Sequence, residues 1–200
     1  MGESAGKRIV GVLVLLLAGA AISGLLLMQH HGEPGASATV NQVCGEGQTS
    51  GCDTVARSSW SKAGGLPLAA VGLVFYASLA ILLVLLALAP PEARDGLVFV
   101  ALAALAVALV VDLVLLGLQA FAIKAFCTLC LVTYALNAAC FVLLWPARRS
   151  AGAVSPAARS TSGRLAIAGW ALGSLVTVGG VLAAENALSQ REKARIGTLL

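Results

Sequence analysis

The sequence predicts an all-α, polytopic membrane protein: a four-helix transmembrane bundle with a fifth, peripheral transmembrane helix. Three observations carry that prediction. Hydrophobic residues make up 59% of the 200-residue chain and charged residues only 11%, a balance that excludes ordinary water-soluble domains. Apolar runs recur at 9–28, 66–89, 97–123, 126–145 and 165–184, each near the ~20 residues that one bilayer crossing needs. An isolated span must satisfy its own backbone hydrogen bonds in lipid, which selects helices. The net charge of +4 makes no case for a nucleic-acid partner, because most basic residues flank the spans. Heavy use of Ala, Val, Leu, Gly and Arg points to a GC-rich bacterial gene.

Taken in order, the first run follows Lys7 and Arg8 and precedes a small-residue "ASA" at 36–38, as a secretion signal would. Signal h-regions run only ~7–15 residues, so this longer run reads as a retained helix. Residues 29–65 form the one connection of real size, rich in Gly and Ser and holding Cys44 and Cys52. Within it "DTVARSSWSKAGGLP" reads as a short surface helix started by Asp53 or Thr54 and anchored by Trp60. Gly64, Gly65 and Pro67 then turn the chain into the second span. Such a segment would cap the bundle and keep water from a bound ligand. Residues 90–96, "PPEARDG", read as a tight turn, and almost nothing around Lys124 joins the third and fourth spans.

Residues 146–164 carry Arg148, Arg149, Arg159 and Arg164 with no acidic residue. The positive-inside rule makes that loop cytoplasmic, together with Lys7 and Arg8. Arg191, Lys193 and Arg195, beyond the last span, run against the bias. The predicted organisation is a four-helix core over 1–145 with its outer loop 29–65, a basic cytoplasmic loop 146–164, and a fifth helix with a short outer tail over 165–200. Parity then puts the first loop and the third-to-fourth junction on the same, outer face. Cys44, Cys52, Cys127 and Cys130 therefore meet at one membrane surface, the oxidising one.

The chemistry concentrates in "KAFCTLCLVTYALN", residues 124–137. Cys127 and Cys130 stand at i and i+3, on one helix face and within disulfide reach. Cys127 falls in the first turn, where the helix dipole and free N–H groups stabilise a thiolate. Its thiol is expected to be the more reactive and more exposed of the two, with Cys130 one turn deeper. Tyr134 and Asn137 continue the stripe with a phenol and an amide, a site suited to a polar-headed, lipid-soluble molecule such as a quinone. The C-x7-C ring, "CGEGQTSGC", is small and polar, and its disulfide could open and re-form without disturbing a core.

Plainer readings stand beside these. Four thiols could serve a heavy-metal membrane transporter or binding protein, although zinc patterns call for two tight pairs, and no metal ligands are assigned. Tyr134 could be an interfacial aromatic, and Asn137 could simply join helices. Cys140 reads as a buried, inert thiol, His30 and His31 as interface markers, and "GWALG" at 169–173 as a small-residue packing motif. An acid in mid-span is functional by default, so Asp112 either lines a proton path or packs against a polar group. Packing has the greater weight, since nothing else nearby titrates.

Residues 9 to 145 resemble the vitamin K epoxide reductase family of membrane thiol oxidoreductases. The match rests on the C-x7-C pair, "RSSWS", "GLVFY" at 72–76 and "FCTLCLVTYALN" at 126–137. The resemblance implies a four-helix bundle around a quinone (menaquinone or ubiquinone), with a fifth span as in bacterial members, in a bacterial inner membrane and active on its outer face. It implies that electrons pass from a separate thioredoxin-like (DsbA-like) extracytoplasmic protein to the quinone, forming disulfides in secreted proteins. Cys44 would face the partner, Cys52 would exchange with Cys127, and Cys130 would contact the quinone. Tyr134 would donate to a quinone carbonyl, with Asn137 and Phe75 lining the same site. Animal members place an asparagine at the outer start of the second span, where this chain has Leu68. Many bacterial members also carry a thioredoxin-like domain after the fifth span, which this sequence does not continue into.

Overall fold

The computed structural model describes residues 3–45, 50–150 and 161–197. Its long elements are α1 (Glu3–His30), α4 (Leu68–Leu88), α5 (Pro91–Gly117), α6 (Thr128–Ser150) and α7 (Thr161–Gly197). Each contains a stretch long and apolar enough to cross a membrane, five among the described residues. Two shorter helices, α2 (Pro34–Cys44) and α3 (Gly51–Arg57), lie between α1 and α4. The protein is thus the all-α, multi-pass membrane protein that composition predicts.

α1, α4, α5 and α6 close a ring in which each packs on the next, and α7 docks outside it against α4 and α5. Packing is tightest at the end remote from α2 and α3. There Leu16, Leu82, Leu83, Leu105 and Cys140 are fully enclosed. Lipid is as apolar as leucine, so close contact rather than water exclusion holds such helices together. Gly19 shows how: a Cβ there would fall inside the Tyr76 ring, so its absence lets α1 and α4 approach with Tyr76 buried between them. Trp170 of α7 donates its indole N–H to the Ser78 carbonyl at 3.1 Å, and Ser78 and Ser174 hydroxyls meet at 2.6 Å. The "GWALG" segment therefore does pack, as its small residues predict.

Several boundaries differ from expectation. Residues 34–44, read as open loop, form α2: Pro34 takes the first helical turn, where a missing N–H costs nothing, and Val40 is buried beneath it. The helix after Cys52 begins earlier than expected, at Gly51, because Ser50 rather than Asp53 or Thr54 is the cap; its Oγ accepts from the Asp53 N–H at 3.2 Å. The turn at 90–96 shrinks to Ala89 and Pro90, since Pro91 opens α5. α6 runs on through Pro146 to Ser150, and residues 151–160 of the basic loop lie outside the described residues. Gly64 and Gly65, with φ of 60° and 87°, form the turn of a small hairpin, β1 (Lys62–Ala63) and β2 (Leu66–Pro67), that leads into α4. His31 is no mere interface marker: it is buried and meets Glu185 of α7 at 2.8 Å.

Candidate active site

Two dithiol pairs meet at the end of the bundle that carries α2 and α3. Cys44 closes α2 and Cys52 stands in the first turn of α3, and the two are disulfide-bonded with a Cα–Cα distance of 6.0 Å. Cys127 and Cys130 form the second disulfide, Cα–Cα 5.2 Å. Cys52 and Cys127 belong to one buried cluster with Val40 and Leu129, against which Cys44 and Cys130 pack. What permits the approach is Gly51. A Cβ there would overlap the Phe126 carbonyl oxygen and lie 2.9 Å from its carbonyl carbon. The α3 start and the chain entering α6 therefore touch backbone to backbone, one residue from each sulfur.

The chain reaches Cys127 by an unusual route. α5 gives way to a π-helical turn, Leu118–Ile123, which Lys124 ends in the left-handed conformation at φ 58°. Residues 125–127 then belong to no helix, so α6 begins at Thr128 and Cys127 is its cap: its carbonyl accepts from the Leu131 N–H at 3.0 Å. The Cys130 N–H points at Cys127 Sγ, 3.2 Å away, placing a helix-start donor on that sulfur. The expectation that Cys127 is the more exposed thiol is wrong. It is 1% exposed, whereas Cys130 is only partly buried. A capping residue leaves the helical path, and here its side chain turns inward to Cys52.

Beside the sulfurs opens a cavity of about 680 Å³, overwhelmingly apolar, lined from α1, α3, α4, α5 and α6. Cys52, Cys127, Cys130, Tyr134 and Asn137 line it, as do Phe75 and Leu68. Asp112 reaches the same cavity and accepts from Asn137 Nδ2 at 2.8 Å. Asn137 thus joins α6 to α5, while its other amide atom, Oδ1, is buried with no hydrogen-bond partner among the described residues. Tyr76 and Tyr134 lie near Asp112, so the acid is less isolated from titrating groups than the sequence indicates. Cys140 is free, fully buried and inside the main core. Among the described residues no three His, Cys, Asp or Glu side chains group as a metal site.

Sequence reasoning missed Gln119. This amide is 2% exposed; its Oε1 accepts from the Cys127 N–H at 2.8 Å and its Nε2 donates to Tyr134 Oη at 2.8 Å. The signal was available: a lone polar side chain inside "LVLLGLQAFAI" is costly in a span.

Sulfurs from distant parts of the chain, enclosed together within a membrane bundle, are suited to one kind of chemistry, thiolate attack on a neighbouring disulfide. The protein is a multi-pass membrane thiol–disulfide oxidoreductase. Comparison with family models agrees: the chain matches the vitamin K epoxide reductase family over residues 10–145, and it belongs to that family. No curated protein and no solved structure matches it significantly.

Proposed function

We propose that this oxidoreductase passes electrons from a separate extracytoplasmic thioredoxin-like protein to a membrane quinone, menaquinone or ubiquinone, and so drives disulfide formation in secreted proteins. The observation that carries the reading is the single buried cluster holding Cys52 and Cys127 at the wall of the apolar cavity. In the steps proposed, a partner thiolate attacks Cys44 and releases Cys52 as a thiolate. The partner's second thiol resolves that mixed disulfide, leaving the partner oxidised and Cys44 and Cys52 reduced. Cys52 then attacks Cys127, expelling Cys130, and Cys44 attacks Cys52 to free Cys127. The first pair is again a disulfide and the second a dithiol.

The cavity suits a quinone head, with apolar walls and a phenol beside Cys130, while Asn137 Oδ1, an acceptor, suits a hydroxyl of the reduced quinol rather than a quinone carbonyl. A bound quinone supplies the sink for two electrons and two protons, restoring the Cys127–Cys130 disulfide. The chain's own groups do the rest. The Cys130 N–H steadies negative charge on Cys127 Sγ, Tyr134 offers a hydrogen bond to one carbonyl, and Phe75 and Leu68 exclude water. Leu68 cannot donate, so the second carbonyl lacks the amide that animal members provide. Lys7 and Arg8 before the first span and the basic segment 146–164 support an orientation with the dithiol end on the outer face of a bacterial inner membrane. The domain reading follows: 1–145 as the redox core, 146–164 as a cytoplasmic loop, 165–200 as a fifth helix and outer tail.

The test is direct. Reduced Cys44→Ala/Cys52→Ala protein is mixed with a soluble quinone and its thiols are trapped with an alkylating reagent. Oxidation of Cys127 and Cys130, one quinone consumed per chain, supports the reading; persistent free thiols would overturn it.

A further inference from the structure

Resting on the reading that Tyr134 donates to a quinone carbonyl, we infer that Gln119 is the residue that gives that hydrogen bond its direction. A backbone N–H can only donate, so the Gln119 amide must turn its oxygen to Cys127, 2.8 Å away. That choice leaves no freedom at the other end of the amide. Its nitrogen faces Tyr134 Oη at 2.8 Å and donates to it. The tyrosine oxygen is thereby an acceptor toward Gln119, and its own proton is left for the cavity that Tyr134 lines. The result is a one-way chain of donors: Cys127 N–H to Gln119, Gln119 to Tyr134, Tyr134 to the ligand.

Two features show that this chain is built rather than incidental. Gln119 is 2% exposed and both its amide ends are satisfied, whereas a polar side chain in a span is costly without partners. It also sits in the π-helical turn Leu118–Ile123, whose end brings Cys127 back to it eight residues later in the chain. Gln119 also lines the cavity, but its hydrogen bonds go to the Cys127 N–H and to Tyr134 rather than to a sulfur, and it acts on the ligand through the phenol. It is a positioning residue, and it fixes the dithiol helix start and the quinone contact in one frame.

The experiment uses the full-length chain in detergent, dithiothreitol as reductant and a short-chain ubiquinone as the probe. KM for the quinone and kcat are measured for wild type, Tyr134→Phe, Gln119→Met and the double variant. Methionine keeps the length of glutamine and removes both hydrogen bonds. One neutral hydrogen bond corresponds to about a three- to tenfold change, so each single variant is expected to raise KM by about that factor. The double variant should match Tyr134→Phe within about twofold, because Gln119 acts through the tyrosine. The carbonyl stretch of the bound quinone should rise in frequency in both single variants.

A Gln119→Met protein with unchanged KM and carbonyl band, beside a shifted Tyr134→Phe, overturns the Gln119 inference and leaves the quinone reading standing. KM increases that multiply in the double variant overturn it too, since a general structural role would add independently. No change in Tyr134→Phe removes the reading itself, and the inference with it. Should Gln119→Met fail to fold, the wild-type phenol C–O stretch, isolated by subtracting the Tyr134→Phe spectrum, decides. With quinone bound it should sit where a hydroxyl both accepts and donates; the position of one that donates without accepting overturns the inference.

Discussion

Replacing Gly51 with alanine should sever the two halves of the relay. A Cβ at Gly51 would overlap the Phe126 carbonyl oxygen and stand 2.9 Å from the carbonyl carbon, whereas carbon contacts settle near ~3.5–4.0 Å. The α3 start must therefore retreat by about 1 Å, and the atoms it meets are backbone, which cannot swing aside. Gly51 adjoins Cys52 and Phe126 adjoins Cys127, so the retreat separates the exchanging sulfurs. A misplacement of about 1 Å can lower a rate on the order of 100-fold. Helix propensity alone points the other way, favouring alanine over glycine by about 0.5–1 kcal/mol. The assay reduces Cys44–Cys52 with one equivalent of dithiol, quenches with an alkylating reagent at intervals and follows the appearance of Cys127 and Cys130 thiols by mass. Folded Gly51→Ala protein that transfers at the wild-type rate would refute the requirement for backbone contact.

Other substitutions probe the neighbouring links. A partner stripped of its second, resolving thiol should attack the Cys44–Cys52 disulfide and stay on Cys44 as a mixed disulfide, visible on a non-reducing gel and absent with Cys44→Ala protein. Asp112→Leu strips Asn137 Nδ2 of its acceptor, and an interhelical bond of this kind contributes about 1 kcal/mol; the thermal midpoint in detergent should fall, while Asp112→Asn, which keeps an acceptor, should nearly restore it. Gly173→Leu drives a side chain into Ile81, whose methyls lie 3.1 and 3.3 Å from a Cβ at that position. α7 should then loosen from α4, lowering the thermal midpoint while transfer between the dithiol pairs keeps its rate.

The spans were legible because length and apolarity alone decide them. The stripe of Cys127, Cys130, Tyr134 and Asn137 was legible because helical periodicity puts residues three and four apart together. Exposure of Cys127 was misjudged for a reason of boundary: α6 starts at Thr128 rather than Phe126. A shift of two residues turns a first-turn thiol into a cap that faces inward. Residues 34–44 hid their helix behind Gly, Ser and Thr, whose weak propensity is overridden when Val40 and Ala36 find a surface to bury against. Contacts such as His31 with Glu185, 154 positions apart, have no local signature at all. Gln119 lay between these cases, flagged by its polarity in a span but without a visible partner until the π-turn brought Cys127 beside it.

The central claim is that Cys52 and Cys127 come within bonding reach. In a Cys44→Ala/Cys130→Ala variant those two thiols are the only redox-site sulfurs left, and mild oxidation followed by digestion and mass mapping reports whether they join. The account predicts a Cys52–Cys127 disulfide in most molecules. Two thiols that both stay open to maleimide after oxidation would contradict it.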